Sequence, residues 1–347
     1  MRIAFLLPSL AKTAPMIIVA SIIKHLKKEY DSIEVFYFKG EIEIEMGVPV
    51  HQLDFSVPFT FESFDLLHTH LFKPNMYVMR FRNQIKCKTI TTIHSYIRQD
   101  IYNTYRFPIN FIATSIWYRA LAKHDALVCL TQSMMRFYQS HIPTKKIYVV
   151  NNGIECHAIH EPLGSDDQQE LVAIKKKYKV IGSTSSLTPL KGLEIMIPFL
   201  EQNKNYFWFA IGSGRSLKNL QKYALKAGVL DRCKFTGFKK NSAAFYSQFD
   251  IFAFPSRSEG FGLSMAEAAL RKCAIVCSDI EVFRELFTED EVAFFKLDDV
   301  RSFCKAVRKL ELAPEKFGTH AYTKLQEKYT APVMADAYLD VYKRTLQ

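Results

Sequence analysis

None of the seven cysteines in this chain stands at C-x-x-C spacing from another, and their number is odd. Cys87, Cys129, Cys156, Cys233, Cys273, Cys277 and Cys304 mostly sit in apolar, strand-like runs. That usage predicts reduced thiols in a cytoplasmic protein, with no disulfide framework and no cysteine metal site. No apolar run is long enough to span a membrane, and the opening run stops at Pro8, too short for a secretory signal. Repeats and low-complexity tracts are absent. So is a G-x-G-x-x-G following a strand, which argues against an oxidoreductase on a dinucleotide-binding domain. Negative charge is in deficit: 35 Asp and Glu face 46 Lys and Arg, a net +11. The surplus is spread over both halves of the chain, so it is no basic nucleic-acid tail. It suits anionic partners, either nucleotide phosphates or an anionic membrane surface.

A chain of 347 residues is long enough for two domains. Short apolar runs alternate with helix-length segments at residues 2–8, 33–38, 66–70, 89–94, 126–131 and 147–151. The series restarts at 179–184, 207–211, 233–236, 251–255, 274–277 and 292–295. These runs lack strict alternation and read as strands buried on both faces, which predicts an α/β protein of two parallel-sheet domains. The domains are expected over residues 1–160 and 172–328. A linker is expected over 155–172, where Pro162, Gly164 and Ser165-Asp166-Asp167-Gln168-Gln169-Glu170 interrupt the rhythm. Ligands of such proteins bind at the carboxyl ends of the strands, here in a cleft between domains. Residues 331–347 form an amphipathic segment, with Met334, Tyr338, Val341 and Tyr342 at helical spacing. It reads either as a helix packing back across the domain boundary or as an ordinary surface helix.

Residues 255–267 read PSRSEGFGLSMAE. The first residues end a buried strand and the last open a helix, so Glu259-Gly260-Phe261-Gly262 forms the loop at a strand's carboxyl end. Glycines there let the backbone approach a ligand, and the free N–H groups of the helix start attract an anion such as a diphosphate. Glu259 and Glu267 are two acceptors suited to a polyhydroxylated substrate. Each also has a plain reading: Glu259 as a solvated loop acid, and Glu267 as the partner of Ser264 in an S-x-x-E capping box.

The spacing Glu259-x7-Glu267 with its Gly-Phe-Gly resembles the signature of the retaining nucleotide-sugar glycosyltransferases of family four, whose GT-B fold has two facing Rossmann-like domains. Further segments carry the resemblance: Leu187-x-x-x-Lys191-Gly192, Ala210-Ile211-Gly212-Ser213-Gly214, Phe235-Thr236-Gly237-Phe238, Thr91-Thr92-Ile93-His94 and Val150-Asn151-Asn152-Gly153-Ile154. The resemblance implies a donor side in residues 172–328 and an acceptor side in residues 1–160. By that resemblance Lys191 pairs with the donor diphosphate, near the amides of Gly262 and Leu263. Glu267 accepts from the ribose, Glu259 contacts the transferred sugar, and Phe261 and Phe238 belong to the donor site. His94 would reach the sugar near its reacting carbon from across the cleft. Sugar transfer would retain configuration without a covalent carboxylate pair. No cofactor and no metal are implied; the nucleotide sugar, a UDP-sugar first, is the co-substrate. Asn152 reads as a turn former, and His68 and His70 as structural residues near the cleft.

Two departures from the family pattern matter. Ser186 stands where the family usually has an arginine, leaving half of the diphosphate clamp to be supplied by Arg215, Arg257 or Lys12. The first loop, Ser9-Leu10-Ala11-Lys12-Thr13-Ala14-Pro15, lacks the paired glycines of many members. A nucleotide-sugar epimerase on the same fold and a catalytically impaired sugar-nucleotide-binding homologue are the alternative readings.

Residues 97–124 mix aromatic and basic side chains, among them Arg98, Tyr102, Tyr105, Arg106, Phe107, Phe111, Trp117, Tyr118 and Arg119. They read either as a segment that rests on anionic lipid or grips a lipid-linked glycan, or as a core-facing helix with solvated charges. Arg80, Arg82, Lys86 and Lys88 read as a second, solvated cluster. The expected acceptor is a saccharide of a cell-surface polysaccharide or lipopolysaccharide intermediate. The expected location is the cytoplasm, or the inner face of the membrane.

Overall fold

A computed structural model describes the chain except residues 28–31, 143–145 and 157–161. The chain divides into two compact units: Met1–Glu155 with Tyr329–Gln347, and Cys156–Lys328.

In the first unit the described strands form one parallel sheet: β1 (Arg2–Leu7), β2 (Ser32–Tyr37), β3 (Val50–Gln52), β4 (Leu66–His70), β5 (Lys88–Ile93), β6 (Ala126–Cys129) and β7 (Ile147–Val149), in the order β3-β2-β1-β4-β5-β6-β7. The second unit holds β8 (Lys179–Thr184), β9 (Tyr206–Ile211), β10 (Cys233–Phe235), β11 (Ile251–Phe254), β12 (Ala274–Ser278) and β13 (Ala293–Phe295), in the order β10-β9-β8-β11-β12-β13. All the apolar runs of the sequence form strands, within two residues at their ends. Their continuous apolar character follows from burial on both faces: β4, β9 and β11 are buried at every position. In the second unit Ile181, Trp208, Ala210, Ile251, Ala253 and Val276, alternate residues on neighbouring strands, join Phe199, Phe303 and Leu310 from the covering helices in one core. In the first, Ala4, Leu6, Phe36, Leu67, Tyr77 and Val78 do the same.

Each sheet reverses its strand order once, between β1 and β4 in the first unit and between β8 and β11 in the second. Loops leaving such a pair diverge to opposite faces and open a crevice at the carboxyl edge.

The expected linker needs correction. Ser165 to Glu170 open a helix, Ser165–Lys175, with Asp166 and Asp167 in its first turn and Lys175 in its last. Charges so placed complement the helix dipole. Residues 157–161 of that stretch lie outside the described residues. The helix Ala331–Leu346 belongs to the first unit and packs on the helix Ala14–Leu26. Its Tyr342 hydroxyl meets His68 Nδ1 at 2.7 Å, and its Tyr338 hydroxyl meets Thr92 Oγ1 at 2.9 Å.

Candidate active site

The sharpest concentration of signature residues in the second unit lies at the β8/β11 reversal. After β8 the chain makes a short turn, Pro189–Lys191, closed by Gly192 in the left-handed region at φ 60°. A Cβ on Gly192 would overlap the Pro255 carbonyl just beyond β11, so glycine lets the two loops touch backbone to backbone. Arg257 N donates to Leu190 O at 2.7 Å and locks the contact. The result brings Lys191 Nζ to 2.5 Å from Glu259 Oε1, which also accepts from Ser256 Oγ at 2.7 Å. Glu259 is therefore no solvated loop acid but half of an ion pair set over the reversal point.

Gly262 takes φ 93° and precedes the helix Leu263–Leu270. A side chain at Gly262 would crowd Phe254 and Phe283 and strain the backbone. Leu263 is the first helical residue; Met265 N already donates to Gly262 O at 2.9 Å, and the Leu263 and Ser264 N–H groups before it have no intrahelical acceptor. Phe261 is buried, at 3% exposed. The capping box is not realised, since Gly262 rather than Ser264 occupies the cap and no side chain caps it. Instead the Tyr246 hydroxyl donates to Glu267 Oε2 at 2.8 Å. Burial pushes the Glu267 carboxyl up, and the Tyr246 hydroxyl holds it down.

The loops after β9 and β10 flank this centre. Leu187 N donates to Ser213 O and Ser216 N to Leu187 O, both at 2.9 Å, laying the Gly212-Ser213-Gly214 loop along Ser185–Leu187. The exposed Arg215 thus stands on the segment beside the exposed Ser186. Phe238, 75% exposed, follows Gly237, whose carbonyl accepts from Gly212 N at 2.9 Å. Arg257 is committed elsewhere, to Asp298 at 2.7 Å, Glu194 at 3.3 Å and the Pro189 carbonyl. Of the arginines considered for the missing clamp, Arg215 stands beside Ser186. Lys12 lies in the first unit.

The first unit carries its own polar cluster at the β1/β4 reversal. His68 and His70 point to one face of β4, both fully buried. His68 Nε2 meets Thr92 Oγ1 at 2.8 Å, and His70 Nδ1 meets His94 Nε2 at 2.9 Å just past β5. Thr69, on the other face, meets Asn75 Oδ1 at 2.7 Å and His124 Nε2 at 3.0 Å. The residue after His70, Leu71, has φ 70° and ψ −179°, a region reserved for glycine that costs of order 1–3 kcal/mol and clusters at functional sites. Asn152 is buried, and its Oδ1 has no hydrogen-bond partner among the described residues. Nothing in its sequence context distinguished it from a surface turn.

Burial holds these histidines neutral: His94 and His124 fall to about 4, and His68 and His70 well below 6.5. Between pH 6.5 and about 4 the unfolded histidines are protonated and the folded ones are not. The unfolded state then binds more protons, so stability is present above pH 6.5 and lost as pH falls. Calorimetry from about pH 7 to about pH 5.5 should show a falling Tm. A flat Tm would mean the histidines are solvated.

Two family models cover most of the chain: residues 165–324 match "Glycosyl transferases group 1" and residues 51–158 match "Glycosyltransferase Family 4". The O-antigen biosynthesis glycosyltransferase WclY of Escherichia coli is 28% identical over 354 residues, covering 99% of this chain and 98% of that protein. Among solved structures, sucrose-phosphate synthase from Thermosynechococcus elongatus superimposes with a TM-score of 0.82 at 14% identity, covering 99% of each chain. Anabaena HepE in complex with UDP and glucose gives 0.80 at 16% identity, covering 99% of this chain and 100% of that one. The two parallel-sheet units are those of the GT-B fold.

Proposed function

We propose a specific reaction for a chain that belongs to the family-four glycosyltransferases: transfer of a hexosyl group from a UDP-sugar, with retention, to a saccharide acceptor of the O-antigen or lipopolysaccharide type. The observation that carries the reading is the Lys191–Glu259 pair beside the open helix start at Leu263. UDP is the first nucleotide to test because HepE is seen with it, and the acceptor class follows the E. coli relative.

In this reading the leaving diphosphate gathers charge against Lys191, Arg215 in place of the clamp absent at Ser186, and the Gly262–Leu263 amides. An ammonium has three donors, so Lys191 can keep Glu259 while taking a phosphate oxygen. Glu267, aimed by Tyr246, accepts from the ribose hydroxyls. Glu259 accepts from the transferred sugar, whose hydroxyls His94 also contacts. The bond from the anomeric carbon to phosphate oxygen breaks as the bond to the acceptor oxygen forms on the same face, and the acceptor's proton leaves with the diphosphate. Fixed protein charges carry this chemistry, so the reading invokes neither cofactor nor metal. Thermal denaturation with UDP, GDP, ADP and their sugars tests it: UDP or a UDP-sugar should raise Tm, by an amount equivalent to about 2.7 kcal/mol at a hundredfold excess over Kd. Transfer to a lipid-linked oligosaccharide, read by the anomeric configuration of the product, tests the rest.

We propose further that the acceptor is met at an anionic membrane surface. The connection between the helices Ile97–Thr104 and Ile109–Leu121 and the start of the second helix turn apolar side chains outward: Phe107 is 81% exposed, and Tyr105, Ile109, Phe111 and Ile112 are each at least half exposed. Asn110 and Thr114 face inward. Such an outward apolar patch, with Arg106 and Arg119 exposed nearby, suits insertion among anionic headgroups. The protein should float with phosphatidylglycerol vesicles. Phe107→Asp with Phe111→Asp should weaken partitioning about tenfold or more, since burying one such ring contributes about 1.5–3 kcal/mol. Equal flotation of parent and variant would remove the membrane from the proposal.

A further inference from the structure

His70 has a ring nitrogen that no described residue uses, and this decides how its neighbour His94 is protonated. Both rings are neutral because both are desolvated. A neutral imidazole carries one N–H and one bare nitrogen, and a single hydrogen bond of 2.9 Å joins His70 Nδ1 to His94 Nε2. Two arrangements are possible. If His94 donated from Nε2, the His70 proton would sit on Nε2, which is buried without a partner among the described residues. If His70 donates from Nδ1, its Nε2 is only a bare lone pair. An orphaned buried N–H is the rarer condition, so the second arrangement is preferred.

We propose that His70 is a positioning residue that holds His94 in its Nδ1–H form, so that His94 meets its ligand as a hydrogen-bond donor and never as a base. The ring of His70 is itself fixed. It stacks on Phe5, with centroids 6.2 Å apart and planes 17° apart, and it lies 4.2 Å from the ring of His68. His68 is tied in turn to Tyr342 and Thr92. A flip of His70 would therefore disturb a packed stack. The group His94 recognises must offer a lone pair, such as a hydroxyl oxygen of the transferred sugar, and the acceptor's proton has to leave by another route. This inference rests on the reading of His94 as a sugar contact.

The test is spectroscopic first. Long-range proton–nitrogen correlations on protein labelled with 15N-histidine, assigned with His94→Asn, report which His94 nitrogen carries the proton. The proton is expected on Nδ1; finding it on Nε2 overturns the proposal whatever the variants do. His70→Leu removes the donor. It should give a mixed His94 signature and lower kcat/KM by about ten- to hundredfold, the scale of a polar group left unpaired. His70→Asn, whose amide N–H can stand in for Nδ1–H, should restore the signature and part of the activity. A folded His70→Leu with the parental His94 signature would also overturn it. If instead His94→Ala transfers sugar at the parental rate, the assigned sugar contact fails, while the nitrogen spectra still decide the tautomer on their own.

Discussion

Lys191→Ala and Glu267→Ala should each abolish the rise in Tm expected of the parent with UDP, and Lys191→Ala should lower kcat/KM by about 100- to 1000-fold. That is the scale for deleting one preorganised charge from a developing anion, about 2.7–4 kcal/mol. The two losses differ in origin. Without Lys191 the diphosphate loses a cation and Glu259 loses its ion-pair partner, keeping the Ser256 hydroxyl. Without Glu267 the buried Tyr246 hydroxyl loses its acceptor, which costs about 1–3 kcal/mol of stability even with no ligand present. Glu267→Gln separates the effects: its amide oxygen can still accept from Tyr246, so the Tm of the free protein should stay near the parental value while UDP stabilisation weakens. If UDP stabilised Lys191→Ala and Glu267→Ala as it does the parent, the nucleotide would bind elsewhere and the donor site proposed at the β8/β11 reversal would be wrong.

Gly192→Ala should destabilise the second unit by about 2–5 kcal/mol and remove UDP binding along with it. Two costs add. An alanine in the left-handed region costs about 1–2 kcal/mol, and its methyl would overlap the Pro255 carbonyl, which a close-packed turn relieves only by shifting backbone, at about 1–3 kcal/mol. The shift would part the Pro189–Lys191 turn from the loop after β11 and pull Lys191 away from Glu259. Denaturant unfolding measures the first effect and calorimetric titration with UDP the second. A variant that is destabilised yet binds UDP normally would show that the loop contact serves stability alone.

The residues that proved legible in the sequence are those whose environment leaves a strong local pattern. Strands buried on both faces, such as Tyr206–Ile211, must be apolar throughout, and positions needing positive φ, such as Gly192 and Gly262, must be glycine or nearly so. β3 left no such pattern: it is a three-residue edge strand with His51 and Gln52 exposed, its side-chain contacts to β2 being those of His51 with Glu34 and Phe36. The helix Ser165–Lys175 was hidden for a related reason, since it buries Leu171 and no apolar stripe marks it. The candidate site was legible as a set of motifs but not as contacts. Nothing local says that Tyr246 reaches Glu267 from 21 residues upstream, or that Arg257 is held by Asp298. His70 was legible only as a structural residue, because its bond to His94 spans two strands brought together by the sheet.

The first unit is discontinuous in sequence: Tyr338 and Tyr342, which close over His68 and Thr92, arrive with Tyr329–Gln347. The second unit is one uninterrupted stretch, Cys156–Lys328. During synthesis, where the N-terminal domain is usually completed first, the last segment of the first unit is translated only after the whole of the second. The second unit's stretch is therefore complete before the helix that covers the first unit's histidine face has been made, and that face acquires its tyrosine cover last.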